Sequence, residues 1–600
     1  MKMTRLKFFK SCIKVIAFVS VILTHVESLA QAQSDEPNII VIYTDDWGYS
    51  DVSIHDILDD VATPNIDALA QSGVLFSDGY VTSPQCAPSR AGFLTCKYQQ
   101  SYGFDAIPSL PLNDEEKTIA DHLKSFGYKT GMVGKWHLDI DPWSVEWAEE
   151  NYPDAIYKDG NRDKVDVDAI PLNLQEPYFP GNRGFDEYYW GTRNSYLVNF
   201  PPHEDSESGE TISVGGDRVD QKTDASIDFI ERNANKDAPF FLYTAYYAPH
   251  TPLTPTDKYL DQIPDMDSEV RRKGLALMLA VDEGVGQIVQ KLKDLNIYDN
   301  TIVIFASDNG AVITQYLDAP GGGRAAYSYV DENHPLYTDG MNITWDGSDN
   351  KPLNGDKGMV SEGGIRVPMV MSWPGKINAG QTSNKPVNTL DLAKTLLNAG
   401  GDVSTLPELE GVDLLPYLNG EDDDDLLVRP LFWRFYTQTA IRKGKWKLLR
   451  VSDEMEFLFD LNEDKEEKNN LIEQYPETAE SLRDELIVWV GTLSPTGLPD
   501  GPLTGAETMK YELYFNDDSL SVFNDLDKVN NMFKVYRDGD LLYIISQKNI
   551  TNVSLIDSFG RVVKEIPDGQ TKINISGLAK GVYIVIAKNQ NKMQAIQVVL

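Results

Sequence analysis

The sequence has little cysteine, a shortage of positive charge and, past residue 33, no long apolar run. Three cysteines in 600 residues exclude a disulfide-rich scaffold. With 54 Lys and Arg against 92 Asp and Glu, the formal net charge is −38. Such a chain repels nucleic acid and anionic membranes. It also repels an anionic substrate, unless a local cluster of positive charge overrides the average. The lack of a later apolar stretch excludes a membrane span in the mature chain. What is present is a globular composition: 41% hydrophobic, 24% charged and 10% aromatic. The length suits about two to four domains.

The first segment has a basic start (Lys2, Arg5, Lys7, Lys10), an apolar run from Val15 to Leu23, and Ala30-Gln31-Ala32 as a small-residue cleavage site. That pattern predicts a secretory signal peptide over 1–32. Cys12 leaves with it, so Cys86 and Cys96 remain.

Short apolar runs alternate with helical patterns from there to about residue 415. "NIIVIY" (38–43), "TGMVG" (130–134), "PFFLYTAYY" (239–247), "TIVIFA" (301–306) and "VPMVMS" (367–372) suit parallel strands covered on both faces. Helices are expected over 63–73, 116–127 and 276–296. The alternation predicts a three-layer α/β domain with a mostly parallel sheet, spanning 33–415. "NGEDDDDLL" reads as an acidic surface turn. A hairpin, "AIRKGKWKLLRV" with "EMEFLFDL", and a helix, "PETAESLRDELIVWV", then make a small α+β subdomain over 416–495. The Pro/Gly-rich stretch after it predicts a linker over 496–525. Short strands alone fill 526–600, as in a small β-sandwich.

Polar residues of a few kinds follow the predicted strands. Asp45 and Asp46 close the first, Lys135 and His137 follow the second, His250 the third, and Asp308 and Asn309 the fourth. Open parallel sheets bind ligands beyond the carboxyl ends of their strands. Three Asp and one Asn are hard oxygen ligands, suited to Ca²⁺, or after it Mg²⁺, rather than to zinc. Any single "DD" or "DN" is more often a capped turn. Cys86, in "SPQCAPSR" (83–90), has two plain readings: a disulfide to Cys96, or an inert buried thiol.

A third reading comes from resemblance. "CAPSRAGFLT" resembles the sulfatase signature C-x-P-S-R-x-x-x-L-T-G. "PNIIVIYTDDWGYSD", "GYKTGMVGKWHL", "YAPHTP", "SDNG" and "NGDKGMVSEGGIRVP" resemble further blocks of that family, in its order. Residues 36–495 thus resemble a type I, formylglycine-dependent sulfatase of the alkaline phosphatase superfamily. The resemblance implies an alkaline-phosphatase-like sandwich. It also implies that a formylglycine-generating maturation enzyme oxidises Cys86 to formylglycine (3-oxoalanine). Hydrated to a geminal diol, that residue is implied to attack the sulfur of a sulfate ester with one hydroxyl, expelling the alcohol, and then to release sulfate through the other, restoring the aldehyde. Asp45, Asp46, Asp308 and Asn309 match the family's Ca²⁺ ligands, with residue 86 completing the set. Arg90 is implied to support the diol and the metal. Lys135 and Lys357 are implied to pair with sulfate oxygens. His137 is implied to take the proton that starts hemiacetal collapse, and His250 to protonate the leaving oxygen. Such a cluster supplies the local positive charge that the average lacks.

Cys96-Lys97 stand where the family usually has Gly-Arg. An insertion, 321–350, offers His334, Tyr337 and Trp345 as substrate-loop candidates, with His203 a weaker one. The tail, with "LAKGVY", resembles the type IX secretion sorting domain. That implies passage through the type IX machinery to the cell surface or the medium; a carbohydrate-binding module is the alternative. The expected function is hydrolysis of sulfate esters on a glycan, algal (ulvan, carrageenan, fucoidan) or glycosaminoglycan. The alternatives are a phosphodiesterase or phosphonate hydrolase of the same superfamily, and a non-catalytic glycan-binding protein.

Overall fold

The computed structural model describes residues 36–515 and 533–599. Breaks fall at 106–109, 161, 193–194, 201–209, 214–217, 235, 319–323, 335, 339–340, 422–423, 500–502, 539–540, 547–550, 558–560, 567–571, 579–581 and 590–591. The expected signal peptide and His203 lie outside the described residues.

A ten-stranded sheet organises the molecule. Its strands in chain order are β1 (Asn38–Asp45), β2 (Val74–Phe76), β3 (Lys129–Gly134), β4 (Glu187–Thr192), β5 (Ser195–Val198), β6 (Glu210–Ser213), β7 (Phe240–Pro249), β8 (Thr301–Ser307), β9 (Met369–Ser372) and β10 (Gln381–Ser383). In space they run β10-β2-β9-β8-β1-β7-β3-β4-β5-β6. The centre, β8-β1-β7-β3-β4, is parallel throughout. Ile40 of β1 sits level with Leu242 of β7 and Val303 of β8.

Alternation along β1 shows why the central strands read as continuous apolar runs. Ile39, Val41 and Tyr43 face one buried layer, while Ile40 and Ile42 face the other. The first layer holds α2 (Cys86–Thr95), α3 (Ile119–Ser125) and α6 (Thr389–Gly400). The second holds α1 (Pro64–Gln71), α4 (Arg218–Asn233) and α5 (Glu269–Asp294). Helix α5 begins seven residues before the apolar pattern does, because Ser268 accepts the Arg271 N–H and caps a polar first turn. The run at 367–372 departs from expectation: β9 pairs antiparallel with both β8 and β2. Burial on both faces makes a strand apolar in either direction, so its composition did not reveal its sense.

Strands β11 (Pro430–Phe435), β12 (Gln438–Lys443), β13 (Trp446–Val451) and β14 (Met455–Asp460) form an antiparallel sheet in that order. Helix α7 (Pro476–Val490) covers one face through Leu482, Leu486 and Val490. The other face, with Trp433, Ala440, Leu449 and Phe457, joins the core beside the large sheet. The acidic stretch read as a turn runs into a short helix, Asp424–Val428. The stretch read as a linker also holds a helix, α8 (Gly505–Phe515), whose Tyr511 and Phe515 are buried in that same core. Two packed aromatics outweigh the Pro/Gly texture before them. The tail folds as two antiparallel sheets over a small core that includes Leu542, Leu555, Ile573 and Val585. Among the described residues no helix is long and apolar enough to cross a membrane.

The smaller sheet is joined to the larger one by buried charge as well as by core. Lys447 of β13 is fully buried between Glu362 (2.9 Å) and Glu467 (2.8 Å). Burial pushes the Glu362 carboxyl up, and Lys447, Arg366 and Arg442 together outweigh this and hold it at about 2. Lys447→Met should therefore strand buried acids without their shared cation. The expected cost is about 3–5 kcal/mol, read as a lower melting temperature. An unchanged melting temperature would show that the network does not bind the two sheets.

Candidate active site

Four neighbouring parallel strands, β8, β1, β7 and β3, end on one edge. Asp45 is the last residue of β1 and Asp46 follows it; Asp308 and Asn309 follow β8, Lys135 follows β3, and His250 follows β7. Helix α2 points its first residue, Cys86, at this edge and carries Arg90 one turn on. A loop after β8 brings Lys357. With His137, two residues after Lys135, the ten catalytic and metal-binding candidates named from the strand ends and the signature blocks are thereby gathered at one place.

The backbone is bent to allow it. Asp46 and His137 adopt left-handed φ of 64° and 63°, an uncommon conformation for residues with side chains and one concentrated at functional sites. Gly134, at φ +103°, must be glycine: a Cβ there would lie 1.9 Å from the Ala245 carbonyl oxygen.

Charges at the site pair closely. Lys135 Nζ lies 2.7 Å from Asp45 Oδ2, and Lys357 Nζ 2.7 Å from Asp46 Oδ1. Arg90 grips Asp308 Oδ2 through Nε (2.9 Å) and Nη2 (2.7 Å), both groups fully buried. Asn309 Nδ2 donates to Asp46 Oδ1 at 2.6 Å. His250 Nε2 stands 3.6 Å from Asp46 Oδ2, and His137 Nε2 3.9 Å from Asp141 Oδ2. Burial pushes the Asp45 carboxyl up, but Lys135, then His250, Arg90 and Lys357, hold it well below the usual carboxylate range. Burial alone lowers Arg90 and Lys357; Asp308 and Asp46 respectively keep them charged. His137 is held at about 3, first by burial and then by Lys135.

The donor set fits a hard cation. Asp45 Oδ1, Asp46 Oδ2 and Asn309 Oδ1 are buried oxygens without a hydrogen-bond partner. Oxygens of Asp45 and Asp308 lie with Cys86 Sγ inside a 4.8 Å group. Partnerless buried oxygens are costly; an ion bound among them offsets that cost.

Cys86 and Cys96 are both free and buried, so the disulfide reading falls away. Cys96 ends α2 with φ 52°, which accounts for glycine being usual there. Its thiol donates to the Glu410 carbonyl at 3.2 Å, and burial pushes it up. Trp345 is a core residue, edge-on to Tyr329 and hydrogen-bonded to the Ser348 carbonyl. His334 lies edge-on to Tyr327, and among the described residues no contact joins it or Tyr337 to the site. Asp346, one residue on from Trp345, is at the site and was not expected there. It is fully buried, and its Oδ1 accepts the Thr251 N–H at 2.7 Å, beside His250. Burial and then Asp46 push its carboxyl up. Its only sequence signal is an acid in an insertion.

Residues 37–402 match the sulfatase family model. The chain belongs to the sulfatase family. It is a sulfuric ester hydrolase. Residues 354–489 of this sulfatase match the C-terminal region of N-sulphoglucosamine sulphohydrolase, and 539–600 match a secretion system C-terminal sorting domain. That sorting domain marks the sulfatase for export by type IX secretion, to the cell surface or beyond. The sulfatase is 30% identical over 505 residues to the N-acetylgalactosamine-6-O-sulfatase of Bacteroides thetaiotaomicron, across 76% of this chain and 93% of that one. It is 29% identical over 444 residues to the N-acetylgalactosamine-6-sulfatase of Canis lupus familiaris, across 68% and 71%. The crystal structure of Ps i-CgsB in complex with k-i-k-neocarrahexaose superposes with a TM-score of 0.59 at 29% identity, covering 80% of this chain and 97% of that one.

The His137 geometry makes a pH prediction. Its folded-state value lies below the ordinary 6.5, so below that pH the unfolded chain takes up a proton that the folded chain refuses. Stability from this group is present above about pH 6.5 and is lost as pH falls toward 3, by up to about 1.4 kcal/mol per pH unit. His137→Gln should flatten the acid side of a melting-temperature profile. An unaltered acid side would show that His137 is not held neutral.

Proposed function

We propose that this sulfatase removes sulfate from a sulfated polysaccharide or its oligosaccharides, using formylglycine at position 86 and Ca²⁺ held by Asp45, Asp46, Asp308, Asn309 and residue 86. The observation that carries the mechanism is the cluster of charge around Cys86: two lysines and an arginine, each paired with a buried carboxylate, together with buried carboxylate and amide oxygens that no hydrogen bond satisfies. The glycan class is supported by relatives named for N-acetylgalactosamine sulfate and by a fold relative solved with a neocarrahexaose. It is also supported by the export domain, which brings the enzyme to polymers that stay outside the cell.

When bound, Ca²⁺ supplies Lewis-acid polarisation of a sulfate oxygen and acidifies the nucleophile. Formylglycine at residue 86, as its hydrate, would supply one hydroxyl to attack sulfur with loss of the alcohol and a second to expel sulfate and restore the aldehyde. Lys135 and Lys357 neutralise the remaining sulfate oxygens in a buried site, where such pairing is strong. This overrides the repulsion expected from a net charge of −38. His250, with its side chain 34% exposed, borders solvent where a leaving alcohol departs and donates to its oxygen. His137, held neutral, accepts a proton in the release step. Arg90 fixes Asp308 and, through it, the first turn of α2. A maturation enzyme must act on Cys86 before the chain closes over it, because the folded residue is only 2% exposed.

Three measurements test this. Intact mass of the peptide bearing residue 86 should show aldehyde in place of thiol in active enzyme. Cys86→Ala should abolish sulfate release without lowering the melting temperature; substantial residual activity would end the formylglycine reading. Chelation should remove aryl sulfate turnover and Ca²⁺ restore it, with aryl phosphate and phosphonate turned over poorly. A rate indifferent to strong chelation would return the acids to a structural role.

A further inference from the structure

Helix α8 lies beyond the sulfatase and sulphohydrolase matches, which end at 402 and 489, and before the sorting domain, which starts at 539. Its Lys510 reaches the loop that carries Lys357. Lys510 Nζ donates to Asp356 Oδ1 and to the Lys357 carbonyl, both at 2.5 Å. The Asp356 side chain is fully buried and that of Lys510 is 14% exposed. The other Asp356 oxygen accepts the Thr314 N–H at 2.7 Å. Lys357 N–H donates to the Ala311 carbonyl at 3.0 Å, and Gly358 N–H to the Pro84 carbonyl at 2.8 Å, two residues before Cys86. The loop is therefore pinned between the strand end that bears Asp308 and the turn that bears Cys86. Lys510 closes it from the third side.

The rest of α8 holds the same loop. Tyr511 donates to Gln438 Oε1 at 2.8 Å; that oxygen also accepts the Val360 N–H, while Gln438 Nε2 donates to the Gly358 carbonyl. The Tyr514 carbonyl accepts from Asn354 at 3.0 Å, and the Tyr514 hydroxyl meets that of Thr314 at 3.2 Å. We infer that α8 is a working part of the active site, with Lys510 the positioning residue that sets Lys357 against the sulfate. This rests on the reading of Lys357 as a sulfate-binding group. It also sets the end of the enzyme proper after Phe515, so a boundary with the sorting domain falls beyond that residue. Lys357 needs such a strut because its long side chain reaches into the site from a loop, and a displacement of about 1 Å costs on the order of a hundredfold in rate.

The test uses the full chain with Lys510→Met, Lys510→Arg, Lys357→Ala and the Lys357→Ala/Lys510→Met pair. Readouts are kcat/KM on an aryl sulfate, the inhibition constant of inorganic sulfate, and the melting temperature. Lys510→Met should lower kcat/KM about ten- to a hundredfold and weaken sulfate inhibition, with the melting temperature little changed. Lys510→Arg should recover part of both. The double variant should be no slower than Lys357→Ala, because the two residues act through one contact. A Lys510→Met enzyme at wild-type rate overturns the inference. So does a loss that the melting curve alone accounts for, or one that persists in full on the Lys357→Ala background. Wild-type rate in Lys357→Ala would instead remove the sulfate-binding reading of Lys357, and the inference with it.

Discussion

Three carboxylates, Asp45, Asp46 and Asp308, are fully buried within a few ångströms of one another, and the site is built around that repulsion. Unpaired buried charge is among the costliest arrangements in a protein. Each acid therefore has its own cation: Lys135 for Asp45, Lys357 for Asp46, Arg90 for Asp308. The oxygens these cations do not reach form the set that fits a metal ion. The same pairing holds two lysines and an arginine beside Cys86, in a protein whose overall charge is strongly negative.

Stability and chemistry are coupled through the surroundings of this cluster. The smaller sheet shares a core with the large one and sends Lys447 and Arg442 into the buried network of Glu362 and Asp78. Glu362 opens the turn that leads from the Lys357 loop into β9. Helix α8 then closes the loop from outside. Elements that look accessory in a diagram of the sheet thus determine where one site lysine points.

Much of the site was legible because its residues sit at strand ends. An apolar run followed by Asp-Asp, Asp-Asn or Lys-x-His marks both the strand and the end at which the candidate site lies. Asp346 left no such mark: it comes to Asp46 only because the insertion folds back and accepts the Thr251 N–H. Trp345 beside it looked like a ligand-facing aromatic and is core. In an insertion, apolar and polar residues do not alternate with a known period, so the buried ones cannot be told from the exposed ones. Helix α8 was hidden for a related reason, since its helical signal rests on Tyr511 and Phe515, which pack against residues more than fifty positions away.

By itself, the sequence determined the strand and helix periods, the acids and amide after the strands, the signature around Cys86 and the sorting tail. These are local properties, set by side-chain chemistry and spacing along one segment. The tertiary structure alone decided the antiparallel sense of β9, the pairing of each acid with its cation, the freedom of Cys86 from Cys96, and the reach of Lys510 to Lys357. Each of these depends on distances between segments far apart in the chain. Such distances are settled by which faces can be buried together, and no single stretch of sequence contains them.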